Sequence, residues 1–192
     1  MSVHQKIEPA VVNGVPVEDV RALVQSVAAD PAKGATHWRV ASAWRERMHS
    51  RAQVDGFAIG GRRIERQFAF DVDEPNQLGG GNGFANPQEY LLGALNACLI
   101  AGFTALCALH AYELESLEIV TEGDIDLRGF LGLDASVSPG YDALTTTLTV
   151  KGSASPEEFQ KLFEMAVATS PNVHNISRPI ALATSLHVIT DR

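Results

Sequence analysis

Two cysteines in 192 residues exclude a disulfide framework, and so sparse a thiol content suits a reducing, cytoplasmic compartment. Basic residues are also scarce: 15 Lys and Arg stand against 23 Asp and Glu, for a formal net charge of −8. With no basic tract, neither nucleic acid nor an anionic membrane surface is an expected partner. No Cys or His pair has metal-ligand spacing, and there is no G-x-S-x-G nucleophile elbow. No metal or cofactor is therefore expected. The Gly-rich stretch Leu78-Gly79-Gly80-Gly81-Asn82-Gly83 lacks the terminal Lys-Ser/Thr of a phosphate loop. It reads as a flexible turn into a helix. Met1 to Pro9 carries His4, Lys6 and Glu8 with no apolar run behind, unlike a signal peptide.

Charge is missing altogether from Tyr90 to Tyr112, 23 residues that could span a bilayer of ~30 Å. The segment is built from Ala, Gly, Thr, Asn and Cys as much as from Leu, and its flanks (Glu89, Glu113, Glu115) are acidic. That composition favours a fully buried central helix over a membrane span. Leu91, Leu92, Leu95, Leu99, Phe103 and Leu106 are its expected core positions. Gly93, Ala97, Ala101 and Ala105 recur every four residues as a small-residue stripe, a surface on which another backbone can approach closely.

What is present is an ordinary globular composition, 45% hydrophobic and 20% charged, at a length that suits one domain of roughly 150 residues plus an extension. Val17, Val20, Leu23, Val24 and Val27 give Val15 to Ala29 a helical period that Asp30-Pro31 stops. Residues 1–35 form this extension with one amphipathic helix, and 36–192 form the main domain. Trp38 to Asp73 reads as consecutive strands turned at Arg45-Glu46-Arg47 and Gly60-Gly61. Asn86-Pro87-Gln88-Glu89 has the cap, first-turn proline and third-position acid of a helix start, and Ser155-Pro156-Glu157-Glu158 repeats the pattern. Strands are expected at Leu117 to Asp126, Leu144 to Val150 and Ile180 to Ile189, with a loop over Arg128 to Leu133. Clustered strands separated by two long helices make the fold class α+β.

Cys98 and Cys107 lie nine residues apart on the central helix, about 180° apart around it and roughly 13 Å along it. They cannot bridge each other, since a disulfide needs Cα atoms within about 7 Å. Periodicity does not choose which of them, if either, reacts.

The run Asn86-Pro87-Gln88-Glu89-Tyr90-Leu91-Leu92-Gly93-Ala94-Leu95-Asn96-Ala97-Cys98 resembles the central-helix signature of the OsmC/Ohr family of osmotically inducible and organic-hydroperoxide-resistance proteins. Asp73-Glu74-Pro75, Leu78-Gly79-Gly80 and Gly123-Asp124-Ile125-Asp126-Leu127-Arg128-Gly129 match as well. The resemblance covers roughly Trp38 to Ile189. It implies an intertwined homodimer of α+β subunits, antiparallel strands around the central helix, with active sites at the interface. The implied chemistry is thiol-dependent reduction of organic hydroperoxides as an antioxidant, stress-response activity. Cys98 matches the peroxidatic position, and Cys107 matches neither family cysteine.

The departures narrow the mechanism. Ser170-Pro171 stands where the family has its resolving Cys-Pro, so a two-cysteine cycle cannot run within this chain. Gln88 stands where the family's arginine-holding Glu is expected, with an acid only next door at Glu89, which the capping box also explains. Of the nearby arginines Arg45, Arg47 and Arg51, Arg47 is taken as the cation for the thiolate. His49, His110 and His174 are further acid–base candidates. A continuous helix separates Gln88 from Cys98 by roughly 15 Å, so a helix start can serve a reactive thiol only across a two-fold axis. Two functions remain. One is a one-cysteine peroxidase acting on a small hydroperoxide with an external thiol reductant. The other is a non-catalytic dimer binding a small apolar or oxidised ligand.

Overall fold

A computed structural model describes residues 10–190 of the chain. The signal-peptide reading of Met1 to Pro9 lies outside them. The described chain opens with a two-stranded hairpin, β1 (Val11–Val12) and β2 (Val15–Pro16), turned by Asn13 and Gly14 at φ 54° and 76°. Both residues tolerate positive φ, which an Asn-Gly hairpin turn requires. Helix α1 (Val17–Ala29) follows, and Asp30 ends it by capping a single 3-10 turn at Pro31–Gly34. The hairpin is tied down at a distance. The Asn13 amide donates to the Tyr112 carbonyl at 2.9 Å and accepts from the Leu114 N–H at 2.8 Å. Val12 and Val17 pack on Ala108.

Strands β3 (Thr36–Trp38), β4 (Ala41–Glu46), β5 (His49–Ile59) and β6 (Arg62–Val72) form an antiparallel sheet. β5 pairs with β6 along one side and with β3 and β4, end to end, along the other. The single strand expected from Trp38 to Trp44 is thus broken in two. Helix α2 (Pro87–Leu109) begins with the expected capping box: Glu89 N–H donates to Asn86 Oδ1 and the Asn86 N–H to Glu89 Oε2. It ends in a Schellman turn with Ala111 at φ 56°, a conformation usually left to glycine. Strands β7 (Leu114–Glu122) and β8 (Thr145–Gly152) pair antiparallel. The loop between them holds a short helix α3 (Leu127–Phe130), where an unstructured loop was expected. Helix α4 (Pro156–Thr169) starts on the Ser155–Glu158 capping box, and a further helix α5 (Pro171–Ser177) follows at once.

The core lies where α2, α4 and the β7–β8 sheet meet. Phe103, Cys107, Phe159, Leu162 and Ala166 form one cluster, and Leu95, Leu99 and Ile119 another. Each fully buried large side chain here contributes about 1.5–3 kcal/mol through water exclusion.

Two expectations are corrected. Helix α2 is not buried all round: Leu91 is 42% and Ile100 37% exposed, and Gly93, Ala94, Ala97 and Ala101 are open. The β7–β8 sheet with α4 and α5 covers one side of it, and the β1–β2 hairpin and α1 cover its last turns; among the described residues the side carrying Leu91, Ala94, Ala97 and Ala101 stays open. The strand expected at Ile180 to Ile189 is also absent. Residues 179–190 carry no regular structure, and Leu182 and Leu186 are each 85% exposed. A strand forms only against a hydrogen-bonding neighbour, and among the described residues no strand pairs with that segment.

Candidate functional site

Cys98 sits midway along α2 and is partly exposed, whereas Cys107 is sealed in the core. Burial pushes the Cys107 thiol up to about 11, which makes it an inert hydrophobe at neutral pH. The two cysteines are unbridged.

Ser170 is brought against Cys98, with Oγ 3.2 Å from Sγ, although the residues are 72 apart in sequence. Three local features fix this contact. Ser170 ends α4 and caps α5, accepting the Val173 N–H at 3.2 Å while its own N–H returns to the Val167 carbonyl. Pro171 then starts α5 with its φ preset for a helix. Asn172 donates its amide to the Ala94 carbonyl at 2.8 Å, one turn before Cys98, and so pins α5 to α2. Val167 and Val173 pack beneath on Leu95 and Leu99. Ser170 is 6% exposed, so the hydroxyl is held in a desolvated position where it either donates to the sulfur or accepts from the thiol.

The other sequence candidates lie elsewhere. Glu89 spends its carboxylate on the α2 cap. Gln88, exposed at the helix start, lines a cavity of about 230 Å³ together with Glu74 and Tyr141. Arg47 occupies the β4–β5 turn at φ 48°, its carbonyl taking the Trp44 indole N–H at 2.9 Å, and is not joined to Cys98. Arg51 pairs with Asp71 at 2.8 Å, and His49 reaches the same carboxylate at 2.9 Å. His110 caps the end of α2 and stacks on Tyr112. His174 is exposed on α5, its N–H bonded to the Ser170 carbonyl. Among the described residues no group of three or more His, Cys, Asp and Glu side chains could hold a metal.

The Gly-rich loop is also accounted for. Asp73, 4% exposed, accepts the N–H groups of Glu74, Gly81 and Gly83 at 2.8, 3.0 and 3.1 Å. These donors, the Gly83 bond foremost, hold the Asp73 carboxyl below its ordinary range despite the opposing effect of burial. The loop's N–H groups therefore serve the chain's own carboxylate and leave no phosphate cradle.

With this geometry in view, comparison with known proteins is direct. The OsmC-like protein family matches residues 79–185, more than half of the chain and the whole of the α2, α4 and α5 region. The chain belongs to the OsmC family. No curated protein sequence matches it. The OsmC-like protein of Mycoplasma pneumoniae superimposes with a TM-score of 0.57 at 16% identity, over 73% of this chain and 86% of that one. An OsmC-like protein of unknown function from Vibrio cholerae does so at 0.52 and 13%, over 72% and 92%. Identities this low establish a shared OsmC fold and nothing about substrate. Within that fold Cys98 and Ser170 are the pair this chain places in contact. Asn172 and the Ser170 double cap carried no sequence signal of a site, although Ser-Pro is a recognisable helix start.

Proposed function

We propose that this OsmC-family chain is a one-cysteine thiol peroxidase that reduces organic hydroperoxides through Cys98 and relies on an external thiol for resolution. The observation that carries this reading is the 3.2 Å contact of Cys98 with a hydroxyl where a second thiol would complete an internal cycle. The Cys98 thiolate attacks the distal peroxide oxygen. An S–O bond forms, the O–O bond breaks, and the leaving alkoxide takes a proton to depart as an alcohol. Against a thiolate, which has no proton to give, the Ser170 O–H at 3.2 Å would act as the donor to the sulfur before attack. Serine cannot displace the sulfenic oxygen as a thiol does, so an external thiol attacks Cys98 sulfur and releases water. A second thiol then regenerates Cys98 and leaves as the external disulfide. Such a reductant belongs to a reducing compartment such as the cytoplasm.

The working unit of this proposal is a homodimer. The open small-residue face of α2 and the exposed aromatic rings of the β3–β6 sheet, Trp44 at 73% and Phe68 at 61%, call for a covering surface. A second copy would supply one, together with an arginine such as Arg47 for the thiolate.

The test is one equivalent of cumene hydroperoxide on the reduced native protein, followed by intact and peptide mass spectrometry. Rapid addition of one oxygen at Cys98, lost in C98S and kept in C107S, is expected. If Cys98 reacts no faster than free cysteine, the peroxidase reading fails. The alternative, a non-catalytic dimer binding a small apolar or oxidised ligand, then takes its place. Arg47 standing away from Cys98 within the chain is the observation that favours it.

A further inference from the structure

We propose that Asp71 is the positioning residue for the thiolate's cation: it seats the β4–β5 turn, which carries Arg47, on the start of α2. This rests on the peroxidase reading, in which a second copy offers that turn to Cys98, and names what aims it.

The turn does not aim itself. Glu46 pairs with His49, so Arg47 and Met48 are the whole loop, and Arg47 stands at φ 48° beside a register shift between Trp44 and Glu46. A residue with a side chain persists in that left-handed conformation only where its surroundings hold it. The Trp44 indole bond to the Arg47 carbonyl closes the loop on its own strand. Among the described residues the Arg47 guanidinium has no hydrogen bond or ion pair, so where it reaches depends on the seat of the turn.

Asp71 provides that seat. Its Oδ1 lies 2.9 Å from His49 Nε2 and its Oδ2 accepts from Arg51 Nη1 at 2.8 Å, so both oxygens hold the strand that leaves the turn. The Asp71 carbonyl accepts the Tyr90 hydroxyl at 2.8 Å from the first turn of α2, and the Tyr90 ring meets Phe70. The His49 ring stacks on Phe84, just ahead of the α2 cap Asn86. One residue thus joins β5, just past Arg47, to the helix that carries the thiol. Its side chain is only 16% exposed, which makes these charged bonds stronger than an open surface pair.

The position where an arginine-holding acid is expected is Gln88, neutral and exposed. A cation favours a thiolate only within ~4–6 Å, so a free guanidinium serves only if its turn is seated alike in every copy. With each turn fixed to its own α2, a two-fold axis presents both turns equally to the opposite thiols. Charge sign separates this aiming from a direct field. Removing the Asp71 carboxylate takes away a negative charge and frees Arg51, and both changes favour a thiolate. Misplacing Arg47 disfavours it.

The experiment follows alkylation of Cys98 by iodoacetamide against pH in the full native chain, with thermal melting to establish that each variant is folded. Cys107, sealed in the core, does not compete. R47Q and D71N are each expected to move the profile upward by about one pH unit, the low end of what an adjacent cation supplies. Y90F, which keeps the ring and loses the bond to the Asp71 carbonyl, should move it the same way by less. The double variant D71N/R47Q should go no further than R47Q, and D71E should recover most of the loss. Isolated as a doubly tagged heterodimer with C98S, the D71N chain has its Cys98 served by an intact turn and should return to the wild-type profile. A profile that stays or moves downward in D71N, or in Y90F where D71N does not fold, while that of R47Q moves upward, overturns the proposal and leaves the peroxidase reading standing. A D71N defect that the heterodimer does not repair also overturns it, since Asp71 then acts only within its own chain. An R47Q profile like the wild type removes the cation and the proposal with it. A Cys98 that alkylates as expected yet ignores hydroperoxide sinks the peroxidase reading alone.

Discussion

Converting Ser170 to cysteine tests the site geometry directly. In the wild type Sγ and Oγ are 3.2 Å apart, and a disulfide needs about 2.05 Å between sulfurs, so roughly one ångström of approach separates contact from bond. Reduced S170C loses the hydroxyl that caps α5, a cost of about 1 kcal/mol. Oxidised S170C closes a loop spanning 72 residues, for which the chain-entropy relation gives about 4 kcal/mol of stabilisation. Between the two redox forms the melting temperature should therefore differ by about 8–16 °C for a domain of this size. One equivalent of hydroperoxide would oxidise both thiols, giving disulfide, alcohol and water, and the mass would fall by two hydrogens instead of rising by one oxygen. The assays are thiol titration, intact mass and thermal melting with and without a dithiol. A Cys98 that stops at the sulfenic acid in S170C, with the introduced thiol still free and no redox-dependent melting shift, would refute the placement of α5 against α2.

Two further outcomes follow from the same structure. Ala97 and Ala101 are exposed within the chain, so A97F or A101F should change protomer stability by no more than about 0.5 kcal/mol yet weaken self-association and Cys98 oxidation together; sedimentation beside peroxide titration checks this, and an intact dimer with reactive Cys98 contradicts it. Asp73 is held below the ordinary aspartate range by the Gly83, Glu74 and Gly81 N–H groups, so its contribution is complete above about pH 4 and is lost as pH falls through the lowered folded value. D73N should accordingly be less stable than wild type at pH 7, with the gap narrowing below pH 4 in denaturant titrations; a gap independent of pH refutes the linkage.

Legibility in the sequence tracked the range of each interaction. The two capping boxes are written in four consecutive residues, Asn86–Glu89 and Ser155–Glu158, and both form. The strands from Ala41 to Val72 also declare themselves, because turn residues at Gly60-Gly61 fix where the chain reverses. Asn13-Gly14 carries an equally local hairpin signal, but flanking strands of two residues each are too short to show a period of two. Helix α5 has a Ser-Pro start like α4 and only seven residues, too few for a hydrophobic period. The Cys98–Ser170 contact is different in kind. No pattern within either segment encodes a meeting of residues 72 apart, and only the resemblance to OsmC relatives joined them before the fold did.

The two failed expectations about fold share a cause that bears on function. Leu91 and the Ile180–Ile189 segment were expected to be buried or paired because their residues are apolar, and apolar residues leave water when a surface is available. In the single chain none is: Leu182, Leu186 and Ile189 stand 85, 85 and 93% exposed, and the open side of α2 faces solvent. The β3–β6 sheet adds to this, touching α2 and the loop before it through the Tyr90 hydroxyl on the Asp71 carbonyl and the Phe70–Tyr90 and His49–Phe84 ring contacts. A sheet held by so few contacts, an uncovered uncharged helix and an unpaired apolar tail are three deficits of one molecule. In the homodimer proposed above, a second copy across the open face of α2 would answer all three at once. On that proposal the second copy's β4–β5 turn, with Arg47, is the cation offered to Cys98, which no cation contacts among the described residues. Apolar character marks a residue for burial without saying which chain provides the surface.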